Sequence, residues 1–407
     1  MSTWKNQQAN SYYLVAIFLI PVASTFGHYV APNEPIFKGQ DWGIIVAYAI
    51  FCVALLLWMP QRWDIHWGAL ELAFLVNAFI LWTYQSASTQ LDQNVFNLTA
   101  FLFPLVLLLI YLKKPTPNGV RQAYLAMLIG LIAISALSLI FGSVGITLNG
   151  FYGIDSGLSR IPIISDVFGI ENRWAGPFGS VNYAGPVGGL ILISAFAFKG
   201  KGRLVLCLGG LAILMLSQAR TSIVAVLLAF LILALFSSPM IRSSRRAVYR
   251  ALLVAVTTSA LFFYVLFIDP SLNGRTPIWS GFFGLFLDQP IIGVRYSGVE
   301  NYISLHISEP GFIPHNHAHS IYLDIAARFG LPALLLTLSL IAITLLVSWR
   351  NRSLDAGTSL ALCVYISVAG IAETIFSWQY ITIYLLALLF INFGQRTRDS
   401  VLIHSEI

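Results

Sequence analysis

The chain is dominated by repeated apolar runs of roughly 17 to 25 residues, the length that crosses a ~30 Å hydrocarbon core at about 1.5 Å rise per helical residue. The runs lack the alternating pattern of a membrane barrel, so helices must satisfy their backbone groups. Composition agrees: of 407 residues, 57% are hydrophobic and only 10% are charged, with a mean hydropathy of +0.79, whereas a soluble domain carries about 25% charged residues. The fold class is therefore all-α, a polytopic membrane protein with about twelve transmembrane helices in a single membrane domain over residues 1–407.

The spans read as 12–30, 43–59, 67–85, 97–112, 122–142, 180–198, 203–219, 221–237, 250–268, 331–349, 357–374 and 378–394. The first run is too long for a signal-peptide core and is taken as a retained span. Cys52, Cys207 and Cys363 each sit inside an apolar run without CxxC spacing and read as packing residues.

Charge then orients the spans. Of the 23 Lys and Arg residues, sixteen fall in segments on one side, from Lys5 through Arg121, Lys199 and Arg250 to Arg398. The positive-inside rule makes that side cytoplasmic and places both termini there. Seven cations break the pattern: Lys38, Arg160, Arg173, Arg220, Arg275, Arg295 and Arg328. Two long extracytoplasmic loops, 142–181 and 269–330, hold most of them. Both loops are rich in Gly, Pro, aromatic and hydrogen-bonding residues, which suits segments packed on a bundle better than free linkers. They also carry acids, including Asp155, Asp288, Glu300, Glu309 and Asp324.

Arg220, in Ser217-Gln218-Ala219-Arg220-Thr221-Ser222, joins two apolar runs with almost no loop between them. It either reaches the headgroups or pairs with Glu373, or, with Ser, Gln and Thr donors around it, it binds an oxyanion. Arg275 opens an amphipathic stretch, Arg275-Thr276-Pro277-Ile278-Trp279, after an Asn-Gly turn. Thr-Pro can start a helix whose N-terminal amides favour anions, and the alternative is a solvated loop charge beside an interfacial Trp. Arg173, beside Trp174, is an interface anchor or a third anion ligand. Lys38, Arg160 and Arg295 read as ordinary loop charges, and Arg328 is open between the two kinds.

The densest polar motif is His315-Asn316-His317-Ala318-His319. Extended, its alternating histidines could ligate a metal, but no Cys or close carboxylate completes a site. Beyond it, Ile321 to Phe329 has helical period and stops at Gly330-Leu331-Pro332. A histidine at the start of such a helix, kept neutral by the dipole and nearby arginines, fits a general base. Asp324, Glu300 and Glu309 are near enough in sequence to orient the imidazole or to replace it, and Tyr322 is a further supporting candidate.

His319-Ser320, nine residues, then Gly330 resembles the His-[Asn/Ser/Gln]-x9-Gly-x-x-Gly pattern of the O-antigen ligase and O-antigen polymerase superfamily, with Ala333 in place of the second Gly. The Gly274-Arg275 pair with Trp279 four residues on, and Ser217-x-x-Arg220-Thr221-Ser222, resemble the same superfamily, so that the likeness runs from about Arg173 to Pro332. It implies an integral-membrane glycosyltransferase of the bacterial inner membrane, acting at the extracytoplasmic face on a polyprenyl-diphosphate-linked glycan donor. It implies no metal and no cofactor. Matched by position, Arg220 and Arg275, with Arg173 as a third, become the diphosphate clamp, and His319 becomes the base for an acceptor hydroxyl in an inverting displacement; His315 and His317 would support it. The acceptor would be a glycan, a lipid or another envelope molecule, and no nucleic acid is involved. A ligase and a polymerase of lipid-linked repeats share this donor chemistry. A lipid-linked glycan flippase or transporter would call for charges or broken helices near the bilayer midplane, whereas the unusual charges here gather at one end.

Overall fold

The computed structural model describes residues 49–50, 69–93, 117–144, 153–155, 172–178, 180–236, 249, 275–307, 317–351, 357–373 and 381–393. In chain order these form α1 (Ala69–Gln93), α2 (Pro117–Ser143), β1 (Gly153–Asp155), β2 (Arg173–Gly176), α3 (Val181–Ser194), α4 (Gly200–Ser217), α5 (Arg220–Phe236), α6 (Arg275–Asp288), α7 (Arg295–His306), α8 (Ile321–Asn351), α9 (Thr358–Ala372) and α10 (Ile381–Phe393). The expected spans at 67–85, 122–142, 180–198, 203–219, 221–237, 331–349, 357–374 and 378–394 each coincide with a helix. Those at 12–30, 97–112 and 250–268 lie outside the described residues, as does nearly all of 43–59. Among the described residues, three helices, Pro117–Ser143, Gly200–Ser217 and Ile321–Arg350, are long and apolar enough to cross a membrane on their own, and four shorter apolar helices accompany them.

Helix packing follows from small residues and from a few buried polar links. Between α3 and α4, a Cβ placed on Gly188 would come 2.7 Å from the Leu214 nitrogen, and one on Gly210 would come 2.8 Å from the Gly188 carbonyl. Only glycine lets the two backbones approach this closely, as is common where apolar helices meet in a bilayer. Helix α9 is tied to α3 by Tyr365, whose hydroxyl donates to the Pro186 carbonyl at 2.7 Å. On α8, the hydroxyls of Thr337, Thr344 and Ser348 donate to carbonyls four residues back, so their burial leaves no unmet donor.

The bundle sorts its cations by end. Near one end Arg121 donates to the Ala197 carbonyl and lies over the Phe198 ring, and the Arg203 guanidinium sits 4.5 Å from the centre of the Phe196 ring. At the other end of α4, about 27 Å away for 18 residues at 1.5 Å each, are Arg173, Arg220 and Arg275. The charge asymmetry read from the sequence is thus a physical separation across the bundle.

Both segments expected as loops contain regular structure. Within 142–181, β1 and β2 pair antiparallel, with Asp155 opposite Arg173. Within 269–330 lie α6 and α7. Helix α6 tolerates Pro277 because first-turn amides have no intrahelical partner to lose. Arg295 is accordingly not the loop charge expected; it opens α7, with φ at 63°.

Gly330 shows why the run after His319 stops where it does. Its φ of 75° and ψ of −173° break α8 into two helical parts. The break frees backbone groups, and the segment after α6 takes them: Val294 N–H donates to the Ala327 carbonyl at 2.8 Å, and Leu331 N–H to the Pro290 carbonyl at 2.7 Å. A side chain at Gly330 would run into the Ile291 carbonyl. The glycine of the histidine motif therefore locks the α6–α7 corner onto α8.

Candidate anion site and histidine segment

Arg173 leaves the bundle edge on β2 and is only 9% exposed. Its Nε donates to the Ser217 carbonyl at 2.9 Å, at the last residue of α4, where carbonyls lack intrahelical partners and the helix dipole favours a cation. The next residue, Gln218, is left-handed at φ 50° and fully buried, and its N–H closes the helix on Leu214. Left-handed backbone costs a non-glycine residue about 1 kcal/mol or more, and here it turns the chain so sharply that α5 begins two residues later. This joint is what the sequence displays as two apolar runs without a loop.

Arg220 is exposed at the first position of α5. Its neighbour Thr221 is drawn inward: Thr221 Oγ1 accepts from Arg275 Nη1 at 3.1 Å, while Arg275 Nη2 donates to Glu373 Oε1 at 2.8 Å. Pairing with Glu373 is one of the readings the sequence leaves open for Arg220; Arg275, at the start of α6, is a cation that reaches this carboxylate. Glu373 follows the last residue of α9 and is 2% exposed, against 13% for Arg275. Of the five N–H donors of a guanidinium, these bonds use two and leave three for another anion among the described residues.

His319 is 9% exposed and, like Gln218, left-handed, with φ at 49°. The rings of His317 and His319 lie 4.2 Å apart at 59°. Asp324, in the first turn of α8, holds the segment from behind: its Oδ1 accepts from Ala318 N–H at 3.1 Å and its Oδ2 from Arg328 Nε at 3.0 Å. Arg328 also lies 4.1 Å over the Tyr296 ring, so this cation, open in the sequence, is tied into the α7–α8 packing. Tyr322 donates to the Ser367 carbonyl at 3.0 Å, which fastens the start of α8 to α9. Glu300 is exposed on α7 and contributes to the field at Arg328. His315 and Glu309, with Lys38 and Arg160, lie outside the described residues.

A small second core brings the two clusters into one region. Ile278, Phe282 and Leu285 of α6 and Val299 of α7 pack with Ala318 and Ala327. Ile278 is one turn from Arg275 and Ala318 adjoins His319, so this core fixes the helix that presents the guanidinium relative to the segment that presents the imidazole. From sequence, Ser217, Gln218 and Thr221 read only as donors around Arg220 and Glu373 only as a possible partner of Arg220; their bonds to Arg173 and Arg275 are not visible there. Glu373 had a signal, being the only charged residue between Asp355 and Arg396; an acid within apolar helical sequence is a functional candidate by default.

The class these observations define is a helical membrane protein with an arginine-rich polar site at one end of its bundle. Residues 204–338, about a third of the chain, match the family model described as O-antigen ligase. This supports the resemblance to the O-antigen ligase and polymerase superfamily and points to a membrane glycosyltransferase-type enzyme. The match covers Arg220, Arg275, His319, Asp324 and Gly330 and leaves out Arg173 and Glu373. Comparison with curated proteins gave no match.

Proposed function

We propose that the protein is a glycan ligase that transfers an oligo- or polysaccharide from a polyprenyl diphosphate carrier to a hydroxyl of an outer-face acceptor. The acceptor oxygen forms the new bond to the anomeric carbon, on the face opposite the diphosphate, and the configuration inverts. As the carbon–oxygen bond to the diphosphate breaks, its electron pair leaves with the carrier, and the acceptor proton passes to His319. Arg275, assisted by Arg220 and Arg173, stabilises the charge that develops on the diphosphate through bidentate, charge-assisted hydrogen bonds, so that no metal or cofactor takes part.

The observation that carries this reading is Arg275 itself: a mostly buried guanidinium, fixed by Thr221 and Glu373, with three donors left over among the described residues, on a helix that shares a core with the residue before His319. Preorganised donors of this kind are worth most in a site shielded from water. A polymerase of lipid-linked repeats would use the same donor site. Glycan analysis of a deletion strain separates the two: long polymer held on the carrier indicates a ligase, single repeats on the carrier indicate a polymerase, and an unchanged carrier-linked pool sinks both.

A further inference from the structure

Glu373 is a costly residue in its place. It is 2% exposed, its Oε1 takes one bond from Arg275, and its Oε2 is buried with no hydrogen-bond partner among the described residues. A strut between α6 and α9 would be better served by a bidentate pair using both oxygens and both terminal nitrogens, or by apolar side chains that escape desolvation. Arg275 instead splits its terminal nitrogens between Glu373 on one side and Thr221 on the other. Two anchors on different helices fix the plane of the guanidinium, and its remaining donors are aimed by that plane.

We propose that Glu373 is the positioning residue of the anion site, holding the Arg275 fork in the orientation that receives the diphosphate and standing as its resident counter-anion. This rests on the clamp reading of Arg275. Arg173 lies close enough to act electrostatically on Glu373, so that with the Glu373 carboxylate ionised the three groups Arg275, Arg173 and Glu373 carry one net positive charge. Neutralising Glu373 while keeping an acceptor oxygen leaves the fork aimed and raises that charge. Removing the side chain raises the charge and frees the fork.

The test uses the full-length protein in detergent, with inorganic pyrophosphate as the binding probe and glycan transfer in a strain lacking the native copy as the activity readout. Glu373→Ala should lower transfer by roughly 10- to 100-fold, the cost of losing a charge-assisted bond and of misplacing a reacting group. Glu373→Gln should recover a large part of that loss and bind pyrophosphate at least several-fold more tightly than wild type, the fold-change that one added charge about 4 Å away contributes even in bulk water. The exchanged pair Arg275→Glu with Glu373→Arg should restore thermal stability relative to either single variant and leave transfer absent. Recovery of transfer in the exchanged pair, or Glu373→Gln no better than Glu373→Ala, would overturn the proposal and make the pair a strut. Normal transfer in Glu373→Ala with none in Arg275→Ala sinks this inference alone, whereas normal transfer in Arg275→Ala sinks the clamp reading beneath it.

Discussion

Arg275 and Glu373, separated by 98 positions in the chain, meet at 2.8 Å and join α6 to the end of α9. Thr221 completes the arrangement from α5, so one guanidinium gathers three helices at the end of the bundle where Arg173 and Arg220 also lie.

Replacing Arg275 by Lys keeps the charge and removes the fork. An ammonium can meet Glu373 or Thr221 but cannot hold both in one plane while presenting further donors to a diphosphate. Transfer should fall at least about tenfold, the scale of one charge-assisted hydrogen bond, with expression and thermal stability near wild type. Wild-type transfer in the Lys variant would remove Arg275 from the clamp.

His319 separates geometry from chemistry. Its φ of 49° lies in the left-handed region, which Asn visits more readily than other non-glycine residues. His319→Asn should therefore keep or slightly raise the melting temperature and abolish transfer, because an amide does not accept a proton at neutral pH. Retained transfer with normal stability would show that the imidazole is not the base.

Asp324 supports that histidine through the backbone. Asp324→Ala removes the acceptor for Ala318 N–H and leaves Arg328, 4% exposed, without its carboxylate. Asp324 is 21% exposed and Arg328 keeps its contact with the Tyr296 ring, so the cost falls below the range of about 3–5 kcal/mol for breaking a fully buried pair. A marked drop in melting temperature is expected, with a milder one in Asp324→Asn, which retains an acceptor oxygen; equal stability of all three proteins would contradict this role.

Gly330→Ala should destabilise by about 1–3 kcal/mol, the range for a residue forced into unfavourable backbone geometry. The cause would be both the positive φ and the collision with the Ile291 carbonyl. Ala333→Gly, on a continuous part of α8, should cost about 1 kcal/mol in helix propensity and a little more for the buried methyl it removes. Thermal unfolding of both variants in one detergent checks the difference.

The bundle helices were legible in the sequence because apolar length and charge asymmetry are local properties, and a bilayer reads them much as an observer does. The ends of the helices were less so. The helical run after His319 was expected to stop at Gly330, and the stop is real, but the chain resumes a helix at once because the α6–α7 corner supplies partners for the groups the break exposes. The arginines at the unusual end were identifiable as a set, whereas their partners were not. The sequence offers Glu373 only to Arg220, since sequence distance does not reveal that α6 brings Arg275 back over α5 and α9. The left-handed backbone at Gln218 had no local signal, and that at His319 only the weak one that His shares with Asn and Asp.

Glycosyl transfer on a diphosphate-linked donor without a metal is the reaction proposed for this site. Its most direct test is to incubate the purified protein in detergent, with EDTA present, with polyprenyl-diphosphate-linked glycan and acceptor, and to measure release of free polyprenyl diphosphate. The account predicts release with wild-type protein, unaffected by the chelator, and its loss in His319→Asn. Absence of release by an active preparation, or release that EDTA stops and one added metal restores, would contradict it.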